Sequence, residues 1–124
     1  MRKNVTTDQA PLPIGPYSQA IVENGFVFLA GQGPADPKTG YQPADVQTET
    51  RRTFANIKAI LEATGSSLEK VVKVNVYLRD IKDFQAMNDV YKTMFTTPFP
   101  ARTTIQAGAL PGGIAVEIEC VAKL

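Results

Sequence analysis

Apolar residues fall into two periodicities along the chain. From Tyr17 to Gly31 two short apolar runs flank Asn24-Gly25, a dipeptide that favours the two-residue hairpin turn. Strands are expected near 17–23 and 26–31, after an irregular lead-in of sixteen residues that contains Pro11, Pro13 and Pro16. Residues 32–43 carry Gly33, Pro34, Pro37, Gly40 and Pro43 and read as a loop. The period then lengthens. Val46, Thr50, Phe54, Ile57, Leu61 and Thr64 recur at helical spacing, which predicts a helix over 45–64 with Asp45 as N-cap and Gly65 just past its end. Ser66 and Glu69 stand at capping-box spacing for one further short turn.

Residues 71–79 alternate strictly, with Val72, Val74, Val76 and Leu78 on one face and Lys73, Asn75, Tyr77 and Arg79 on the other. A second helix is expected over 81–96, capped by Asp80, with Phe84, Met87, Tyr91 and Phe95 turned to the core and Pro98 and Pro100 stopping it. Two strands finish the chain, 101–107 and 114–122, joined through Pro111-Gly112-Gly113. The order is ββαβαββ. Two helices with apolar stripes must cover one face of a sheet, so the fold class is a two-layer α+β domain spanning residues 1–124.

In this scheme the uncovered face carries Lys73, Asn75, Tyr77, Arg102, Thr104, Gln106, Glu117 and Glu119. Such a face can remain wet. It can also meet other copies in a symmetric oligomer that places sites between subunits. The pattern does not choose between them.

Composition narrows the chemistry more than the class. Thirteen basic and twelve acidic residues give a net charge of +1, spread along the chain, which argues against a nucleic-acid partner. Neither a signal peptide nor an apolar membrane-length run is evident, so a cytoplasmic protein without a membrane partner is expected. Cys120 is the only cysteine and falls on an apolar face, where a buried, inert thiol is expected. There is no histidine, which removes the Ser-His-Asp and Cys-His hydrolases, two-histidine nuclease chemistry and histidine-ligated zinc. The segment Gly31-Gln32-Gly33-Pro34 lacks the third glycine and the following helix of a dinucleotide fingerprint.

Arg102 follows Pro100-Ala101 at a strand start and offers a planar fork suited to a carboxylate. Glu117, read as lying on the same face, could take a proton from water or simply pair with Arg102 across strands. Both readings stand at this level. Lys73 reads as a solvated charge, and Thr104 as a sheet residue with no base to activate it.

The segment Ile14-Gly15-Pro16-Tyr17-Ser18-Gln19-Ala20 resembles the N-terminal signature of the RidA-type family, also called the YjgF family. Gly31-Gln32, Pro37-Lys38-Thr39-Gly40, Asn56-Ile57, Phe99-Pro100-Ala101-Arg102-Thr103-Thr104 and Glu117-Ile118-Glu119 continue the likeness in order across the chain. The resemblance implies a chorismate-mutase-like fold with a mixed sheet and a homotrimer with three sites between subunits. It also implies hydrolysis of 2-iminobutanoate and 2-iminopropanoate, with their enamine tautomers, to 2-keto acids and ammonia. By the same resemblance Arg102 would bind the substrate carboxylate and Glu117 would position the water. Tyr17, Gly31, Asn88 and Thr104 would complete the substrate pocket, and no metal or cofactor is called for. Two departures stand out: Thr104 where many members have cysteine, and Ala30 where serine is frequent. A ribonuclease or translation inhibitor is the alternative activity. A non-enzymatic carboxylate binder or chaperone-like trimer is the alternative of another class.

Overall fold

The computed structural model describes residues 1–124. In chain order the elements are β1 (Lys3–Val5), β2 (Ala20–Glu23), β3 (Phe26–Gln32), α1 (Val46–Thr64), β4 (Val71–Leu78), α2 (Phe84–Met94), β5 (Ala101–Gln106) and β6 (Val116–Lys123). Single 3-10 turns cover Leu68–Lys70, Ile81–Asp83 and Pro111–Gly113. The six strands form one mixed sheet in the order β1-β2-β3-β6-β4-β5, antiparallel throughout except for the parallel pair β4–β5. Both helices pack on the same face, which is the expected two-layer α+β arrangement.

Local signals place most of these elements. Asn24 and Gly25 both adopt positive φ (52° and 80°), the backbone that a two-residue turn between right-twisted strands requires. Asp45 caps α1 by accepting from the Thr48 amide at 2.8 Å. Gly65 closes the helix in the left-handed region at φ 91°. The core lies between α1 (Phe54, Ile57, Ile60, Leu61), α2 (Met87, Tyr91) and the inward residues Val27, Leu29, Val74, Val76, Leu78, Ile118 and Ala122. Cys120 is buried among them, and burial pushes its thiol up to about 12, so it is an inert core residue.

Several expectations need correction. The lead-in is not wholly irregular, because Lys3–Val5 adds a short edge strand to β2 through backbone pairing that side-chain pattern does not encode. The second strand starts at Ala20 rather than residue 17. The residue before it, Gln19, is buried and spends its side chain on the lead-in. Its amide accepts from Thr7 N (2.8 Å) and donates to the carbonyls of Thr7 (3.0 Å) and Pro11 (2.8 Å). Val71, not Val72, takes the buried place at the start of β4, because the β4–β6 register shifts between Val71 and Lys73. Ser66 does not cap the short turn; its hydroxyl donates to the Lys123 carbonyl at 2.6 Å. The helix near 81–96 begins as a 3-10 turn and becomes α-helical only over 84–94.

The largest correction concerns β5. Parallel pairing sets Val74 beside Arg102, Val76 beside Thr104 and Leu78 beside Gln106. Side chains of laterally paired residues point to one side of a sheet. Arg102, Thr104 and Gln106 therefore share the helix-covered side, and Thr103 and Ile105 share the open side with Asn75 and Tyr77. Their assignment to the open face alongside Glu117 fails because alternation within one strand does not say which of its two faces matches the neighbour's.

One buried carboxylate ties distant segments together. Glu49 of α1 is 1% exposed and accepts from the Tyr41 hydroxyl (2.8 Å), the Ala44 amide (3.0 Å) and the Ala115 amide (2.8 Å). Burial, and then hydrogen bonding to this carboxylate, hold the Tyr41 phenol above its ordinary value. Replacing Glu49 with Ala strands these donors, at about 1–3 kcal/mol for each one left buried and unpaired. Glu49→Ala is expected to lower the urea midpoint by the equivalent of roughly 3 kcal/mol. An unchanged midpoint would show that water replaces the carboxylate without loss.

Candidate functional site

Arg102 leaves the edge strand β5 on the helix side and meets two aromatic rings of α2. Its Cζ lies 4.5 Å from the Tyr91 ring centroid and 5.5 Å from that of Phe84. Positions 84 and 91 are two helical turns apart, which puts both rings on one stripe of α2. Arg102 belongs to neither of the chain's two ion pairs, Met1–Glu23 and Lys92–Asp89. Arg102 borders a cavity of about 330 Å³ together with Asn88, Tyr91, Phe99, Pro100 and the paired Asp89 and Lys92. Thr104 follows on the same side of β5, and its hydroxyl is buried without a hydrogen-bond partner.

Glu117 lies on the open side of the sheet, at the level of Tyr77 on β4. Burial, and then the charge of Glu119, hold its carboxyl above the ordinary carboxylate value. Glu119 is engaged by a short hydrogen bond from the Tyr77 hydroxyl, and this contact, followed by burial, raises the Tyr77 phenol. Glu117 is in neither ion pair. Its side chain lies against the backbone of Gly31, where the pairing of β3 with β6 slips between Leu29 and Gln32. A Cβ at Gly31 would stand 2.6 Å from Glu117 Oε2 and 3.0 Å from its Cδ, so only glycine lets the carboxylate rest there undisturbed.

Gly31 also lines a second cleft, of about 250 Å³, with Tyr17, Leu12, Ile14, Gln19 and Gly33. Buried amides position its walls. Gln19 pins the lead-in that carries Tyr17, and Asn56 of α1 donates to the carbonyls of Gly33 (2.9 Å) and Ala35 (2.8 Å). The sequence signature pointed to Gln19 and Asn56 without giving their work. Glu49 was not singled out, and a lone glutamate within a helical stripe gives no signal of burial.

Within one chain these groups form two clusters. Arg102, Asn88 and Thr104 lie at the β5 edge on the helix side, whereas Tyr17, Gly31 and Glu117 lie over β3 and β6. The strand β4 separates β5 from β6, and neighbouring strands are about 4.8 Å apart. With Arg102 and Glu117 on opposite sides of the sheet, a cross-strand ion pair between them is ruled out within the chain. A small molecule cannot touch both in one copy. No group of three or more potential metal ligands is present, and no helix is long and apolar enough to cross a membrane.

The family model for endoribonuclease L-PSP matches residues 7–124. A RutC family protein of Pyrococcus horikoshii is 50% identical over 123 residues, covering 98% of each chain. The 2-iminobutanoate/2-iminopropanoate deaminase of Escherichia coli K12 is 39% identical over 125 residues, again covering 98% of each. Among solved structures, E. coli TdcF with bound serine superposes with a TM-score of 0.92 at 38% identity, covering 98% of each chain. Matched along almost its whole length in sequence and in fold, the chain belongs to the endoribonuclease L-PSP family, the family of the YjgF and RidA proteins.

Proposed function

We propose that this protein is a hydrolytic deaminase of small 2-imino acids, 2-iminobutanoate and 2-iminopropanoate with their enamine tautomers, acting as a homotrimer with its sites between subunits. The observation that carries the reading is a guanidinium that lines a cavity and is in no ion pair, the one carboxylate of that cavity, Asp89, being paired with Lys92 at 3.9 Å. A small carboxylate is the natural partner for that fork. A relative with that deaminase name and another holding serine, itself a small 2-amino carboxylate, support the substrate class.

The separation of the two clusters supports assembly. Arg102 and Thr104 on the edge strand β5, with Asn88 on α2, can reach the Tyr17–Gly31 cleft and the Glu117 carboxylate beside it only of another copy. The open face also exposes Phe26, Phe28 and Ile105, apolar surface that a neighbour would cover. Subunits meeting through that face would bring each cleft beside a neighbour's edge strand β5.

The chemistry suits a chain without histidine. A protonated imine is already electrophilic, so neither a covalent nucleophile nor a metal is needed. Arg102 would fix the carboxylate, and Thr104, behind it on the same side of β5, would back the site. Tyr17 and Asn88 would wall the pocket. Glu117 would orient one water and accept a proton as its oxygen attacks the imine carbon. Glu117 returns that proton to the carbinolamine nitrogen, then takes the hydroxyl proton as the C–N bond breaks, so that ammonia leaves and the C=O of the 2-keto acid forms. Positioned proton transfer of this kind contributes about 10²–10⁴-fold. The endoribonuclease reading has less support, because no histidine is present and the charge is nearly balanced.

The direct test is a coupled assay that generates the imino acid enzymatically and follows keto-acid and ammonia release. Arg102→Lys is expected to lose most activity, because a point charge cannot replace a bidentate fork worth about 1.5–3 kcal/mol. Full activity in Arg102→Lys would remove the clamp from the mechanism. Gly31→Ala is expected to lower kcat by displacing the Glu117 carboxylate, in a protein of unchanged fold; unaltered turnover would detach Gly31 from the site. On the pH axis, activity requires ionised Glu117, whose carboxyl sits above the ordinary 4.5. The acid limb of kcat/KM, which reports groups of the free enzyme, should therefore lie above that value. Removing the neighbouring charge with Glu119→Gln makes ionisation easier and should move the limb to lower pH. A limb that stays in place would mean another group controls it.

A further inference from the structure

Arg102 combines two properties that normally exclude each other. It is a long, flexible side chain with no ion pair, yet its head group has a fixed place against two aromatic faces. From this we infer that Phe84 and Tyr91 are positioning residues for the anion site, a two-ring cradle that holds the guanidinium by its π contacts and leaves its N–H donors free for a ligand. The inference rests on the carboxylate-clamp reading above and adds the means by which the clamp is kept open.

The physical argument compares ways of ordering an arginine. A carboxylate partner would order the side chain but occupy the donors that a ligand needs. A ring face orders the cation through its quadrupole and consumes no N–H group. Both centroids fall within the roughly 6 Å range of that interaction. The two rings are themselves held differently. Tyr91 is buried and belongs to an aromatic trio, 5.7 Å from Phe54 and 5.1 Å from Phe95 between centroids. It is the fixed wall. Phe84, at the first position of α2, is 39% exposed, although helical spacing assigned it to the core. A ring exposed to this degree is not a closed core position, and contact with Arg102 gives it a role. Phe84 does not line the cavity that Arg102 borders, so a change at 84 reaches that cavity through the arginine.

The test measures binding of 2-oxobutanoate to the intact protein by titration calorimetry, alongside steady-state assays. Phe84→Leu keeps an apolar side chain but removes the ring. It is expected to weaken 2-oxobutanoate binding roughly fivefold, the scale of one partly desolvated cation–π contact, and to raise KM more than it lowers kcat. Phe84→Trp, with the stronger cation-binding face, should match or exceed the native affinity. Pentafluorophenylalanine at position 84 keeps the shape and reverses the quadrupole, so it should weaken binding as leucine does and keeps the test open if the leucine variant does not fold. Native affinity with leucine or with the fluorinated ring overturns the cradle, as does equal weakening by leucine and tryptophan. Arg102→Ala separates the two levels. If it binds 2-oxobutanoate normally, the clamp itself fails; if it loses binding while every Phe84 variant binds as the native protein does, only the cradle fails.

Discussion

The parallel pairing of β5 on β4 is the constraint from which the site geometry follows. β5 returns after the crossover through α2, so it lies at the sheet edge with α2 above it. The register that sets Val74 beside Arg102 turns the arginine toward that helix. Shifted by one residue, the same strand would send Arg102 to the open face and Thr103 toward α2. The aromatic rings at 84 and 91 would then have no cation, and the cavity with Asn88 would have no guanidinium at its edge. A single ladder thus decides which groups can meet an anion.

The opposite cluster depends on a different irregularity. Where β3 and β6 slip out of register, Gly31 presents bare backbone and the Glu117 side chain lies against it. Burial and the neighbouring Glu119 charge then make this carboxyl a weaker acid than usual, hence a better proton acceptor when ionised. The Tyr77 hydroxyl engages Glu119, which ties up one of the two carboxylates so close on the same strand face. The two clusters are complementary in charge and separated by the sheet. Under the proposed assembly each copy supplies an anion clamp to one neighbour and a base to another.

Irregular segments around these clusters are held by buried polar side chains rather than by apolar packing. Gln19 binds four backbone groups of the lead-in, Asn56 gathers the carbonyls after β3, and Glu49 receives donors from the loops before α1 and before β6. Loops carry backbone donors and acceptors that the sheet cannot satisfy. A side chain on a rigid element that satisfies several at once fixes the loop with little added mass. The walls of the Tyr17 cleft are ordered in this way.

The sequence alone determined the two-layer class and the type of each main element after the lead-in. Helical and strand periods, the Asn24-Gly25 turn, the Asp45 cap and the Gly65 stop are local signals, each set by a few adjacent residues. It also marked Arg102 and Glu117 as the groups with chemistry to offer, since no histidine competes with them. Tertiary structure alone decided where they stand. Alternation tells which residues of a strand share a face but not which face that is, and neighbouring strands are chosen by contacts far apart in the chain. Arg102 and Glu117 were therefore read on one surface and in fact lie on two. The burial of Glu49 and the rings around Arg102 were hidden for the same reason: both depend on residues that meet only after the sheet has formed.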